Sequence, residues 1–475
     1  MITNSIARLL KILAMVILTS VLIVTSLGSP TAHTVHAYNS VLIVNSLSDD
    51  ETAVTGICVQ PGTLCVRNAI ATAISSNAST LITFNLSGAI YLHGPLSIQN
   101  NLTNPVTIDG SGHSIALDGY NIYQVFRVPV GGVATLNALT IQNGHVANFG
   151  GGVYNAGALT ITNSTIAANT VDSSGGGLYN VGDLTLINST ISGNSAQDGG
   201  GIDNEGTLLL SNSTVFGNYG GAYGGGLFNA NIATVSNSTF TKNTASIGGG
   251  LINTATLSML STLVAGNAAN NFPDIDSASA VISTLGNNLV GIGTGSQLIN
   301  GANADQIGTA AAPIDPMITP LADHGGATWT VALLDNSPAL ASGDCHGYLF
   351  STPSAPAVSI DQRGGLRKTT LAGCDIGAYE FHPIENIGIY RNGAFYLRLH
   401  NTTGVADITV PFTAGTKPYP IVGDWAGNGY DTVGVYDQNS GNFTVCTAND
   451  ATCANAANQI GFTLGNPGDT PLAGR

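Results

Sequence analysis

In this 475-residue chain, Asp203 and Glu205 are the pair of acids whose spacing could do acid–base work. Two apart on one expected strand, their side chains would lie roughly 6.5–7 Å from each other. That suits the paired carboxylates of an inverting glycoside hydrolase. Support from other residues is thin. Between Gly150 and Asn267 the only further carboxylates are Asp172, Asp183 and Asp198, and from Val128 to Gln362 the one Lys or Arg is Lys242. No cationic pair is available to hold an acidic sugar for elimination. The simpler expectation is two solvated acids on an exterior strand face and no catalytic residue, with a carbohydrate-active enzyme using Asp203 and Glu205 as the alternative. Asp203 also falls in the repeat position of Tyr154, Tyr179 and Phe228. An exposed aromatic column of this kind stacks on sugar rings or packs against a loop.

The elements that must position these residues announce themselves as a repeat. Gly150-Gly151-Gly152-Val153-Tyr154-Asn155 recurs as Gly175–Asn180, Gly199–Asn204, Gly224–Asn229 and Gly248–Asn253, with closing asparagines 24 or 25 residues apart. Asn163-Ser164-Thr165 returns in phase at Asn188, Asn212 and Asn237, and a further asparagine at 169, 194, 218, 243 and 267. Between these markers apolar residues alternate with polar ones, as in half-buried strands. Leu159/Ile161, Leu184/Leu186, Leu208/Leu210, Ala233/Val235 and Leu257/Met259 form two inward columns. Two more run Ile166, Ile191, Val215, Phe240, Leu263 and Val153, Leu178, Ile202, Leu227, Leu251.

Each unit therefore reads as three short strands joined by Gly or Asn corners. Four buried side chains, at about 1.5–3 kcal/mol each, cannot offset the cost of fixing some two dozen backbones, about 1–2 kcal/mol apiece. Stacking of coil on coil must supply the rest, with like residues piling on like and asparagine amides bonding up the stack. The expected fold class is all-β: a right-handed parallel β-helix solenoid with capped ends and a small C-terminal β module. The in-phase Asn-x-Ser/Thr triplets read as ladder positions rather than glycan acceptors.

Composition agrees. Charged residues make up 8% of the chain, there are 61 glycines and 45 asparagines, and mean hydropathy is +0.25. This excludes a helical enzyme or a coiled coil, and the net charge of −15 argues against a nucleic-acid partner. Arg8 and Lys11 precede an apolar run, Ile12–Leu27, and a small-residue site ending at Ala37. Residues 1–37 thus read as a signal peptide, leaving no membrane span after cleavage and a secreted or bacterial cell-surface product. Six cysteines form three close couples, Cys58/Cys65, Cys345/Cys374 and Cys446/Cys453, for which local disulfides are the economical pairing in an exported chain.

The expected organisation is an N-terminal cap and irregular coils over 38–130, with a short helix from Cys65 to Ile74. Regular coils follow over 131–300, then last coils and a closing segment over 301–385, and a separate module over 386–475. In that module Ile387-Gly388-Ile389-Tyr390 returns as Val433-Gly434-Val435-Tyr436, and Pro420–Trp425 begins to return at Pro471 before Arg475. The final repeat reads as truncated, or as a tolerated partial blade. Asp361 and Arg363, beside Asp375 and Glu380, read as a buried structural ion pair.

Four stretches resemble bacterial surface-protein families. Gly56-Ile57-Cys58 through Cys65-Val66-Arg67-Asn68-Ala69-Ile70 resembles the CSLREA motif, with Asn68 in place of its glutamate. The glycine/asparagine coils are similar to polymorphic outer-membrane-protein and pectate-lyase-like β-helices. Leu321-Ala322-Asp323-His324-Gly325-Gly326, Asp361-Gln362-Arg363-Gly364 and Cys374-Asp375-Ile376-Gly377-Ala378-Tyr379-Glu380 resemble the choice-of-anchor Q domain. The tail looks like FG-GAP or VCBS-type propeller repeats. In that likeness Asp424, Asn428 and Asp431 would be the ligands of a Ca²⁺ loop, with Ala426 where the family has a carboxylate or amide. No other cofactor is implied. Together the resemblances imply an adhesive or structural surface protein with an extracellular polysaccharide or surface ligand as partner.

Overall fold

The computed structural model describes residues 38–49, 62–76, 78–99, 104–277, 280–344, 360–367, 373–381, 388–397, 408–412, 415–423, 432–446, 453 and 459–463. The expected signal peptide lies outside them. Strands of successive coils pair in parallel and in register, so that Asn155, Asn180, Asn204, Asn229 and Asn253 stand one above another. The solenoid is a parallel β-helix, as the repeat requires.

Each regular coil has four strands, not three. In one coil these are Val153–Asn155, Ala158–Thr162, Thr165–Ala167 and Thr170–Val171. They belong in that order to four sheets, called first to fourth below, of eight, ten, ten and six strands. The fourth sheet points small residues inward, Val171, Ala196, Gly220 and Ala245, and so leaves little mark on the apolar pattern. The expected aliphatic columns fill the core, with Val153, Ile161, Ile166, Leu178, Leu186, Ile191, Ile202 and Leu210 all fully buried, but the column through Phe240 continues to Val264 and not to Leu263, which faces outward and packs with Leu333 and Ile376. At the N-terminal end, the helix Val66–Ser76 lays Val66, Ala69, Ile70 and Ala73 on the same core.

Two amide ladders line the corners. Asn155 donates to Asn180 at 2.7 Å, and the series continues through Asn204, Asn229 and Asn253 to Ser277. The second runs from Asn169 through Asn194, Asn218 and Asn243 to Asn267, which donates to Asp274 at 2.9 Å. In both ladders each amide donates one hydrogen to its neighbour on the C-terminal side, and in the second ladder the other hydrogen goes back to a carbonyl of the preceding coil, as from Asn194 to Ile166 O. In the second ladder each Oδ1 also receives a backbone N–H, as Asn194 does from Asn169, which fixes the orientation because only the oxygen accepts. The asparagines of the Asn-Ser-Thr triplets keep the expected ladder only at its start, where Asn188 donates to Asn163 at 3.3 Å and Asn163 to Asn137 at 2.9 Å; Asn212 turns to the lateral segment and Asn237 has no side-chain partner among the described residues. Asn163, Asn188, Asn212 and Asn237 hold φ of 45–51°, the left-handed conformation asparagine tolerates best after glycine.

The segment after the last coil does more than close the end. Residues 318–333 form antiparallel bridges, and with 360–367 and 373–381 they lie lengthwise along the outer face of the third sheet. There the outward threonines serve as a rail. Thr190 donates to Trp329 O at 2.6 Å, Thr214 donates to the Gln362 side-chain oxygen at 2.6 Å, and Thr239 accepts from Ala378 N. The C-terminal residues form two antiparallel sheets: Gly388–Arg391, Ala394–Leu397 and Ile408–Pro411 in one, and Pro418–Gly423, Thr432–Asp437, Asn442–Cys446 and Gln459–Thr463 in the other.

Candidate functional site

On the outer face of the first sheet the register stacks Arg127, Tyr154, Tyr179, Asp203, Phe228 and Ile252. Beside it, where the fourth sheet ends, runs a second column of Phe149, Ser174, Asp198, Tyr223 and Ile247. The glycine triplets turn the chain from one column to the other. At Gly199 (φ 57°) a Cβ would lie 2.8 Å from that of Asp203, so only glycine allows the columns to close together.

The result is a strip of two aromatic patches around an acidic rung. Tyr179 stacks on Phe149 at 4.6 Å and on Tyr154 at 5.8 Å, and Tyr223 meets Phe228 at 6.3 Å. Phe149 and Tyr223 are exposed, Tyr154 and Phe228 half-buried, and Tyr179 buried beneath Phe149. Arg127 places its guanidinium 4.5 Å from the Tyr154 ring centre, a cation–π contact at the strip's end.

The acidic rung differs from expectation. The strand carrying Asp203 is Ile202–Asn204, and Glu205 falls in the bend after it. Glu205 is solvated as expected, but Asp203 is 2% exposed. Burial first, and the neighbouring charge of Glu205 second, push the Asp203 carboxyl up to about 8, against a smaller opposing hydrogen bond from Ser174. Its Oδ1 is buried without a hydrogen-bond partner, as is that of Asp198. Burial also raises Asp198. Tyr179 donates its hydroxyl to Glu205, and desolvation followed by that bond holds the phenol protonated. Near neutral pH, Asp203 is therefore an uncharged acid roofed by its neighbours, Asp198 is half-buried, and Glu205 faces outward.

The expected ion pair is real and larger than two residues. Asp361 binds Arg363 at 2.6 Å, and Arg363 stacks 3.7 Å over Tyr379. Arg367, which the sequence reading passed over, is fully buried. It reaches Glu380 at 3.4 Å, Asn212 Oδ1 at 2.9 Å and Gly377 O at 2.7 Å, tying the lateral segment to the solenoid. The in-phase threonines after each Asn-Ser pair were the available signal for that docking rail. Cys446 and Cys453 form a disulfide. Cys65 and Cys374 are also disulfide-bonded, while Cys58 and Cys345, their expected mates, lie outside the described residues. The Ca²⁺ candidates Asp424, Asn428 and Asp431 lie outside them too.

Among the described residues no group of three or more His, Cys, Asp or Glu is arranged to hold a metal, and no helix is long and apolar enough to cross a membrane. In comparisons with known proteins the chain matches no family model and no curated relative.

Proposed function

We propose that this protein is an exported, surface-associated β-helical scaffold that holds an extended polysaccharide against its aromatic strip without cleaving it. The observation that carries the reading is the placing of Phe149, Tyr154, Tyr223 and Phe228 on the outer face of a regular stack. Rungs recur every 4.7–4.9 Å or so, close to the length of one pyranose in an extended chain, so successive sugars meet equivalent positions. Exposed rings on rigid strands bind at little cost in conformational entropy. The leader-like residues 1–37, the cysteine couples and the resemblance to bacterial surface β-helices support export and an adhesive role.

A second reading has its own support: a buried acid held protonated, Asp203, two residues from a second, solvent-exposed acid, Glu205, has the two contrasting environments of an acid–base pair. Its weakness is access, because a general acid must reach the glycosidic oxygen and Asp203 is roofed over. A glycan array followed by a product assay on each hit tests both. Binding without new reducing ends or unsaturated products, retained in Asp203→Asn, is expected. Turnover abolished by Asp203→Asn would establish the enzyme instead.

A further inference from the structure

We propose that two copies of this chain join at their N-terminal ends, their Ser40–Val44 strands pairing antiparallel about a two-fold axis at Leu42. The pairing is independent of the glycan reading. Ser40–Val44 is the outermost strand of the second sheet, with Thr80–Phe84 as its inner neighbour. Ser40 N donates to Ser79 O and Val44 O accepts from Asn85 N, so Ser40, Leu42 and Val44 turn their backbone groups to that neighbour. The alternate residues, Val41 and Ile43, turn theirs to the open edge. Among the described residues nothing bonds to those groups. Their side chains lie 57% and 53% exposed on the outer face. Edge strands are ordinarily blunted by a charge, a proline or a bulge. This one, Ser-Val-Leu-Ile-Val, has none of them.

The register singles out a second copy as the occupant. With Leu42 opposite Leu42 of the copy, Val41 faces the copy's Ile43 and Ile43 the copy's Val41. Residues opposed in this way exchange two N–H···O bonds, so the free groups of both chains are met together. Their exposed side chains also gather on one face, in directly opposed pairs. A slip of two residues fails in either direction. One sets Val41 against Asn45, whose N–H is already given to Leu64 O, and the other sets Ile43 against Asn39, whose N–H is given to Ser79 O. A slip of one offers residues whose groups face Thr80–Phe84. Charge permits the approach as well. The chain carries a net charge of −15, which sets copies against each other. Among the described residues from Tyr38 to Gln99, however, the only Asp, Glu, Lys or Arg side chains are Asp49 and Arg67, bound to each other at 2.6 Å. Beside the strand, the helix Val66–Ser76 exposes Ala71, Thr72, Ser75 and Ser76, which are too small to hold a second chain off.

Sedimentation velocity of the purified, untagged protein from about 1 to 100 μM tests the pairing, on either side of the ~10 μM dissociation constant of a small interface. Val41→Pro removes an N–H that faces away from Thr80–Phe84, a change an edge strand tolerates. Ile43→Lys, at an exposed position, puts two like charges on the joined face. Each should weaken the dimer about tenfold or more, with the circular dichroism spectrum unchanged, and Ile43→Lys decides the matter should Val41→Pro fail to fold. Oxidation reads the register. Val41→Cys and Ile43→Cys chains, mixed, should link to one another across about 5.5 Å. Ile43→Cys alone should link poorly, because its own pair is diagonal at about 7–8 Å. A protein monomeric throughout this range overturns the proposal. So does a dimer that persists in Ile43→Lys, or one in which Ile43→Cys links to itself as readily as to Val41→Cys. A chain that stays monomeric but takes a foreign peptide onto this strand overturns it in favour of strand addition by another protein.

Discussion

Asp203 shows how its neighbours decide the charge of a single side chain. An unfolded aspartate loses its proton near 3.8, whereas the folded protein retains it to about 8. Between those values the folded chain binds one more proton than the unfolded chain, so this residue's contribution to stability falls as pH rises from about 4 to about 8 and is constant above. The difference in pKa corresponds to several kcal/mol across that window. Asp203→Asn keeps the shape, removes the titration and removes the repulsion from Glu205. Urea midpoints at pH 5 and pH 9 should separate more widely in the wild type than in Asp203→Asn, with the variant the more stable of the two at pH 9. Equal separations would show that Asp203 ionises freely. The column of Asp203 was legible in the sequence because it repeats a motif position. Its burial was not, since the groups around it include Ser174 and Asp198, which belong to the column on the other side of a glycine corner and share no residue type.

At the scale of elements, legibility followed chemical likeness between rungs. Glycine triplets, paired asparagines and aliphatic columns fix the coil boundaries because each position stacks on its own kind. The fourth sheet escaped notice because Val171, Ala196, Gly220 and Ala245 carry too little apolar bulk to make an alternation. The lateral course of residues 318–333, 360–367 and 373–381 was hidden for another reason: Thr190 and Trp329 are 139 positions apart, and nothing local couples them. Arg367 anchors that course. Arg367→Met leaves Glu380 and Asn212 Oδ1 without their buried cation, and breaking a buried pair in this way costs about 3–5 kcal/mol. The expected result is a lower melting temperature together with faster proteolysis of the lateral segment. Adding Glu380→Gln should recover part of the loss, since it removes the stranded charge.

For the molecule as a whole, stability is a sum over neighbouring rungs rather than the property of one globular core. Deleting one full coil, Ala156–Asn180, rejoins equivalent corners and should preserve the β-sheet circular dichroism spectrum and binding by the remaining Tyr223 patch. Deleting half as many residues puts inward positions outward and should abolish folding. Melting curves and spectra of the two deletions distinguish this additive picture from a single cooperative core. The amide ladders bear on how such a rod can change length. Each Asn hands one amide hydrogen onward to the next, and the second series finishes on Asp274, which receives hydrogens but has none of its own to give when ionised. Duplicated coils can therefore accumulate anywhere upstream without disturbing that terminus. A copy placed beyond Asp274 would meet a carboxylate with nothing to pass on, so gene duplication is free to lengthen this protein in its middle but not at its far end.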